Sequence, residues 1–181
     1  EWRLVGVGCR PGPLAVGGQV MGARTRNQAR LRGGAGVGDR VYVSGTLGDA
    51  AGALAFLQEQ WQPEPDHAEF LLNRFNRPLA RLELGCGLLG LASAAIDISD
   101  GLLADAGHVA AASGVRICID TDLLPLSEAL RSRDCKETIL RWALTGGDDY
   151  ELCFFLPADA TAPPGCTCIG HVEAGAGVDC G

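Results

Sequence analysis

The sequence predicts an α/β protein, in the form of an α+β sandwich of sheet and helices. Three observations carry that prediction. Short runs of β-branched and aromatic residues alternate with helical segments along most of the chain. Glycine, proline or aspartate marks the transitions between them. The 181 residues are 47% apolar and 20% charged, enough for a sizeable core in one domain, or one domain plus part of another.

The elements follow in order. "LAVGGQVMG" (14–22) alternates loosely and is rich in glycine, so it reads as a strand with a bulge. "GGAGVGD" (33–39) is a turn-rich connection, and a domain boundary falls near Val37. "RVYVSGTLGDAAGALAFLQEQ" reads as strand, glycine turn and amphipathic helix. Val41 and Val43 alternate with Tyr42, and Asp49 sits in the first helical turn, where its charge meets the positive end of the dipole. "DHAEFLLNRF" (66–75) is a helix that "NRP" stops. Residues 79–91 are helical but weakened by Gly85, Gly87 and Gly90. "SAAIDIS" (93–99) is a short strand, and "DGLLADAGHVAAAS" a helix that ends at Gly114. "VRICID" (115–120) is a strand, "LSEALRS" and "KETILRWAL" are short helices, and "YELCFFLP" and "CTCIGHV" are two more strands.

Charge and composition exclude some functions. The net charge of −7 argues against sequence-independent nucleic-acid binding. No uninterrupted apolar run is long enough for a transmembrane helix. The start, "EWRLVGVGCR", lacks the parts of a signal peptide and reads as mid-strand, so upstream sequence is expected. Of eight cysteines, only Cys166 and Cys168 are close, and no C-x-x-C pair occurs. Buried free thiols in a reducing cytoplasm are the expectation. His67, His108 and His171 are too scattered for a histidine metal site, and His108 is expected to be structural. Trp142 and Phe154 are expected in the core.

Chemistry concentrates in two stretches. In "AIDISDGLLAD" (95–105), Asp97, Asp100 and Asp105 crowd among apolar residues. On a strand, Ile96 and Ile98 face the core while Asp97 and Ser99 face a cleft. Asp100 falls at the strand-to-helix junction and can cap the helix, whose free N–H groups open onto the same cleft. Hard carboxylate oxygens beside phosphate-binding amides suit Mg²⁺–nucleotide chemistry. Spacing alone is equally served by a helix cap and a solvent-facing strand residue. An EF-hand is excluded, since Leu102 takes the place of the loop glycine. In "TGGDDYEL" (145–152), Gly146 and Gly147 make a tight turn expected to expose both Asp148 and Asp149. Two acidic, glycine-flanked junctions in one small domain favour a shared site.

With "LRGGAGVGD" and "GDRVYVSGTLGDAAGAL", these two motifs resemble the thiamine-monophosphate kinase family, in the same order, over about residues 25–172. That family is similar in fold to aminoimidazole ribonucleotide synthetase, selenophosphate synthetase and a hydrogenase maturation protein. The resemblance implies two α/β domains, a homodimer, and ATP and Mg²⁺ held between domains in the cytoplasm. It makes residues 1–37 a remnant of an N-terminal ATP- and Mg-binding domain and residues 38–181 the C-terminal domain. It implies Asp97 and Asp100 as magnesium ligands, Ser99 and Arg32 as ATP contacts, and Asp148 as a contact to thiamine monophosphate. The implied reaction converts ATP and thiamine monophosphate into ADP and thiamine diphosphate. One stretch departs from the pattern. In "VGCRPGPL" (7–14), Gly8 replaces an aspartate, Cys9 and Arg10 replace threonines and Pro11 replaces an arginine. Two alternatives stand beside the kinase reading: a related ATP-dependent synthetase, and a folded module that only pairs with itself or a partner.

Overall fold

The structure, a computed structural model, describes the backbone of residues 2–8 and 17–22 and the whole of residues 32–181. Strands β1 (Trp2–Gly8) and β2 (Gly17–Gly22) pair antiparallel. The bulge expected in the second strand falls on its partner instead, between Leu4 and Gly6. Residues 9–16, which carry most of the departing motif, lie outside the described residues.

The remaining elements are β3 (Arg40–Ser44), α1 (Asp49–Leu57), α2 (Pro65–Asn76), α3 (Leu82–Gly87), β4 (Ala94–Asp97), α4 (Leu102–Ser113), β5 (Arg116–Ile119), α5 (Glu128–Arg131), α6 (Lys136–Thr145), β6 (Leu152–Leu156), β7 (Cys166–Glu173) and β8 (Gly177–Cys180). A single 3₁₀ turn, Thr121–Leu123, follows β5. Six strands form one sheet in the order β4-β6-β3-β7-β5-β8, antiparallel except for the β5–β8 pair.

Alternation decides the two faces. Val41 and Val43 of β3 enter one core cluster with Ile96, Ile117, Ile119 and Phe155. Helix α4 covers that face with Leu102, Ala106, Val109 and Ala110. Tyr42 points the other way and stacks on Phe154, ring centroids 5.6 Å apart. That second cluster adds Leu88, Ala92 and Leu156. The continuous apolar run "LCFFL" is thus a strand buried on both faces. A third cluster, with Ala53, Leu71, Leu130 and Ile139, joins α1, α2, α5 and α6. Trp142 packs on it beside Trp61, with Arg133 over both rings.

Three expectations need correction. The helix at 79–91 shrinks to Leu82–Gly87 because its glycines weaken it. Strand β8 is hidden in sequence by the glycine-rich "AGAGVDC" and is held by parallel pairing to β5. The described cysteines are free thiols, but only Cys153 is buried. Cys118 faces outward between the core-facing Ile117 and Ile119, so apolar neighbours in sequence do not mean burial.

Candidate functional site

The two acidic stretches meet because two loops are zipped together by backbone hydrogen bonds. The Ile98 N–H donates to the Glu151 carbonyl at 2.8 Å, Tyr150 to Ile98 at 2.9 Å, and Asp148 to Ser99 at 3.0 Å. Glycine makes this approach possible. A Cβ on Gly147 would lie 2.5 Å from the Ser99 carbonyl oxygen. Gly101 has φ of +109°, and its Cβ would lie 2.9 Å from the Thr145 carbonyl oxygen. Ile96 and Ile98 are buried, so Asp97 is turned outward at the end of β4, as the alternation predicts.

Asp97, Asp100 and Asp148 are exposed on one face of this joined loop pair, and Ser99 is half-buried between the first two. Asp148 and Tyr150 both take left-handed backbone angles, φ 65° and 51°. Non-glycine residues there cost about 1 kcal/mol or more each, which the surrounding loop must impose. The Tyr150 hydroxyl donates to Asp148 Oδ1 at 3.2 Å. That hydrogen bond, then the charges of Asp148, Asp97 and Asp100, push the phenol up. One negative field therefore joins acids from both motifs.

Asp105 supplies what Asp100 was expected to supply. The N-cap position of α4 is Gly101, and no side chain caps it. Instead the buried Asp105 reaches back and accepts from the Ser99 and Asp100 N–H groups, each at 3.0 Å. This leaves the Asp100 carboxylate facing outward. Asp100, Asp105 and His108 bring ligand atoms within 4.8 Å of one another, and His108 is exposed rather than packed in the core. The i, i+3 spacing of Asp105 and His108 on one helix face was the available signal.

The other acids of "GGDDYEL" are structural, which corrects the expected exposure of Asp149. Asp149 is buried and accepts from the Gly48 and Ala50 N–H groups, at 2.6 and 3.2 Å, at the start of α1. Glu151 is fully buried and accepts from Ser44, Arg74 and Arg81, the last through Nε and Nη2, each at 2.6 Å. Burial pushes its carboxyl up, but Arg81, Ser44 and Arg74 outweigh this and hold it below the ordinary range. Asp49, read as a dipole charge, is also buried, with hydroxyls from Ser127 and Thr46 on its two oxygens.

Burial pushes Asp149 up to about 7, against which its two backbone donors act. The folded chain then keeps a proton that the unfolded chain releases near pH 4, so this contribution is full below that pH. It is lost as pH rises toward 7. Asp149→Asn is expected to remove this slope, so that its stability relative to wild type improves by roughly 2–4 kcal/mol between pH 4 and 8. Urea midpoints of both proteins across that range check it; parallel pH profiles would refute it.

Arg32 is not brought to this face. Gly33 and Gly34 next to it lie against Ala112 and Ser113, at the far end of α4 from Asp100. That separation is about 15 Å along the helix.

A family model, AIR synthase related protein, C-terminal domain, matches residues 36–161. Thiamine-monophosphate kinase of Salmonella typhimurium is 44% identical over 158 residues, covering 87% of this chain and 49% of that protein. The crystal structure of thiamine-monophosphate kinase from Stenotrophomonas maltophilia is similar at a TM-score of 0.87 and 43% identity, covering 93% of this chain and 58% of that one. A second solved structure, AaThiL complexed with AMPPCP and TMP, is similar at a TM-score of 0.76 and 41% identity, covering 83% and 50%. The chain spans about half the length of the curated relatives it matches.

Proposed function

The chain belongs to the AIR synthase related protein family, and on that premise we propose that it is the C-terminal part of a thiamine-monophosphate kinase. The reaction transfers the γ-phosphoryl group of ATP to a phosphate oxygen of thiamine monophosphate, leaving ADP and thiamine diphosphate. The observation that carries this reading is the pairing of the 97–100 and 148–151 loops, which sets acids from both motifs on one face. The names of the relatives support it.

Asp97 and Asp100 are the proposed magnesium ligands. Their hard oxygens are exposed and accept no hydrogen bond among the described residues, a donor set that fits Mg²⁺. Magnesium bound there would offset the repulsion between two polyanionic substrates. Asp105 holds the loop from within, so both carboxylates stay oriented. The N–H groups of a helix start such as that of α4 suit phosphate oxygens. The Ser99 hydroxyl is the proposed contact to the nucleotide. Asp148, which accepts from the Tyr150 hydroxyl, is the proposed contact to thiamine monophosphate. The accepting phosphate oxygen is already anionic near neutral pH, so orientation and charge carry the transfer, with no strong general base.

Arg32, set apart from the acids, is the proposed contact to the nucleotide phosphates, and a homodimer is the proposed assembly. The domain boundary is placed at 37/38 and the protein in the cytoplasm. Among the described residues no helix is long and apolar enough to cross a membrane. Gly8 in place of the family aspartate favours a second reading, a folded module without activity.

The test is Mg²⁺-dependent binding of a non-hydrolysable ATP analogue by the 181-residue chain, together with thiamine diphosphate formation. Asp97→Asn is expected to weaken the binding by at least about tenfold, as loss of metal-site groups does. Equal magnesium dependence in both proteins would sink the assignment. Binding without product formation would keep the assignment and mark the 181-residue chain as an incomplete enzyme, to be retested with an N-terminal domain supplied.

A further inference from the structure

Strand register lines up four side chains across one face of the sheet. Arg40 of β3 stands opposite His171 of β7, His171 opposite Cys118 of β5, and Cys118 beside Asp179 of β8. The intervening residues Ile117, Ile119 and Val172 fill the core on the other face, where α4 lies. In the next row Glu173 pairs with Arg116. The row borders an open cleft of about 690 Å³, lined among others by Asp120, Leu123 and Gly181. The thiol sulfur of Cys118, a ring nitrogen of His171 and a carboxylate oxygen of Glu173 lie within 4.8 Å of one another. His171 Nε2 and Glu173 Oε1 are 2.9 Å apart.

We propose that Cys118, His171 and Glu173 form a binding site for a borderline divalent transition metal, zinc above all, separate from the acidic face at Asp97 and Asp100. The donors decide the metal. Thiolate and imidazole suit zinc and are poor ligands for magnesium, whereas the acidic face offers only hard oxygens. Tetrahedral zinc with ordinary bond lengths holds its ligand atoms about 3.5 Å apart. The present spacing reaches that by side-chain rotation, without moving the sheet, because two ligands come from register-paired residues of adjacent strands. Asp179, next to Cys118, is placed to orient the site or add an oxygen.

Charge around the cluster is mixed. Arg40 and Arg116 flank it, and Asp120, Asp179 and Glu173 offset them. Metal binding displaces the thiol proton of Cys118, which passes to solvent as the sulfur–metal bond forms.

Cobalt(II) titration of the reduced chain tests this, with cobalt as the spectroscopic probe and zinc as competitor. One equivalent of cobalt should produce a thiolate-to-metal absorption band that one equivalent of zinc removes. Cys118→Ser should abolish the band, and His171→Ala or Glu173→Gln should weaken binding by at least about tenfold. The Cys166→Ser/Cys168→Ser double variant should bind as wild type does. No saturable band, or a band that survives Cys118→Ser, overturns the proposal, as does unchanged affinity in His171→Ala. His171 is exposed, so its variant stays informative if Cys118→Ser does not fold, which circular dichroism reveals.

Discussion

Glu151→Ala is expected to destabilise the fold by about 3–5 kcal/mol, the cost of breaking a buried ion pair from one side. Glu151 is 0% exposed and is the common acceptor for Arg74, Arg81 and the Ser44 hydroxyl. Its removal leaves two guanidinium groups and a hydroxyl short of their partner in a water-poor space. The loss reaches beyond one contact, because Arg74 comes from α2, Arg81 from the segment before α3, and Ser44 from β3. For a chain of this size the melting temperature should fall by about 10 °C or more. Urea and thermal unfolding measure it. A loss under about 1 kcal/mol would mean that water replaces the carboxylate, and that the network is weaker than its geometry implies.

Gly147→Ala is the second large effect, and it should fall on function more than on folding. Its Cβ would meet the Ser99 carbonyl oxygen at 2.5 Å, and backbone on both sides leaves little room to yield. The 146–151 loop must move off β4, breaking the Asp148-to-Ser99 hydrogen bond. Folding should lose about 1–3 kcal/mol from the overpacking. Magnesium-dependent nucleotide binding should fall by at least about tenfold, since a displacement of about 1 Å is enough to spoil such a site. Gly107→Ala is the control. It lies inside α4 with nothing within 4 Å of the added methyl, and should gain up to about 1 kcal/mol. Wild-type binding by the Gly147→Ala protein would show that the two loops need not touch.

Local pattern is enough for much of this protein. The two-residue alternation of a strand places Ile96 and Ile98 inward and Asp97 outward, because strand geometry leaves no other choice. Helices at 49–57, 65–76 and 102–113 follow from apolar periodicity and their stop signals. The four matching segments point to the kinase resemblance, and the chain belongs to the AIR synthase related protein family. Spacing cannot tell the acids of "GGDDYEL" apart. Asp148, Asp149 and Glu151 are equivalent by composition, and only distant partners separate them: the start of α1 takes Asp149, while Arg74 and Arg81 take Glu151. Asp105 likewise belongs to the crowded acids by sequence, although its carboxylate turns back into the loop.

The α/β class, most element positions, the two acidic junctions and the resemblance to a known family are legible in the chain as written. Each of these rests on residues near one another in the chain. Tertiary structure alone decided which acids face solvent, how the two junctions join, where Arg32 stands and that Cys118 meets His171. Those facts depend on strand order and on contacts between residues far apart in the chain. Such contacts are fixed when the sheet and helices bury their apolar faces, and no local period records them.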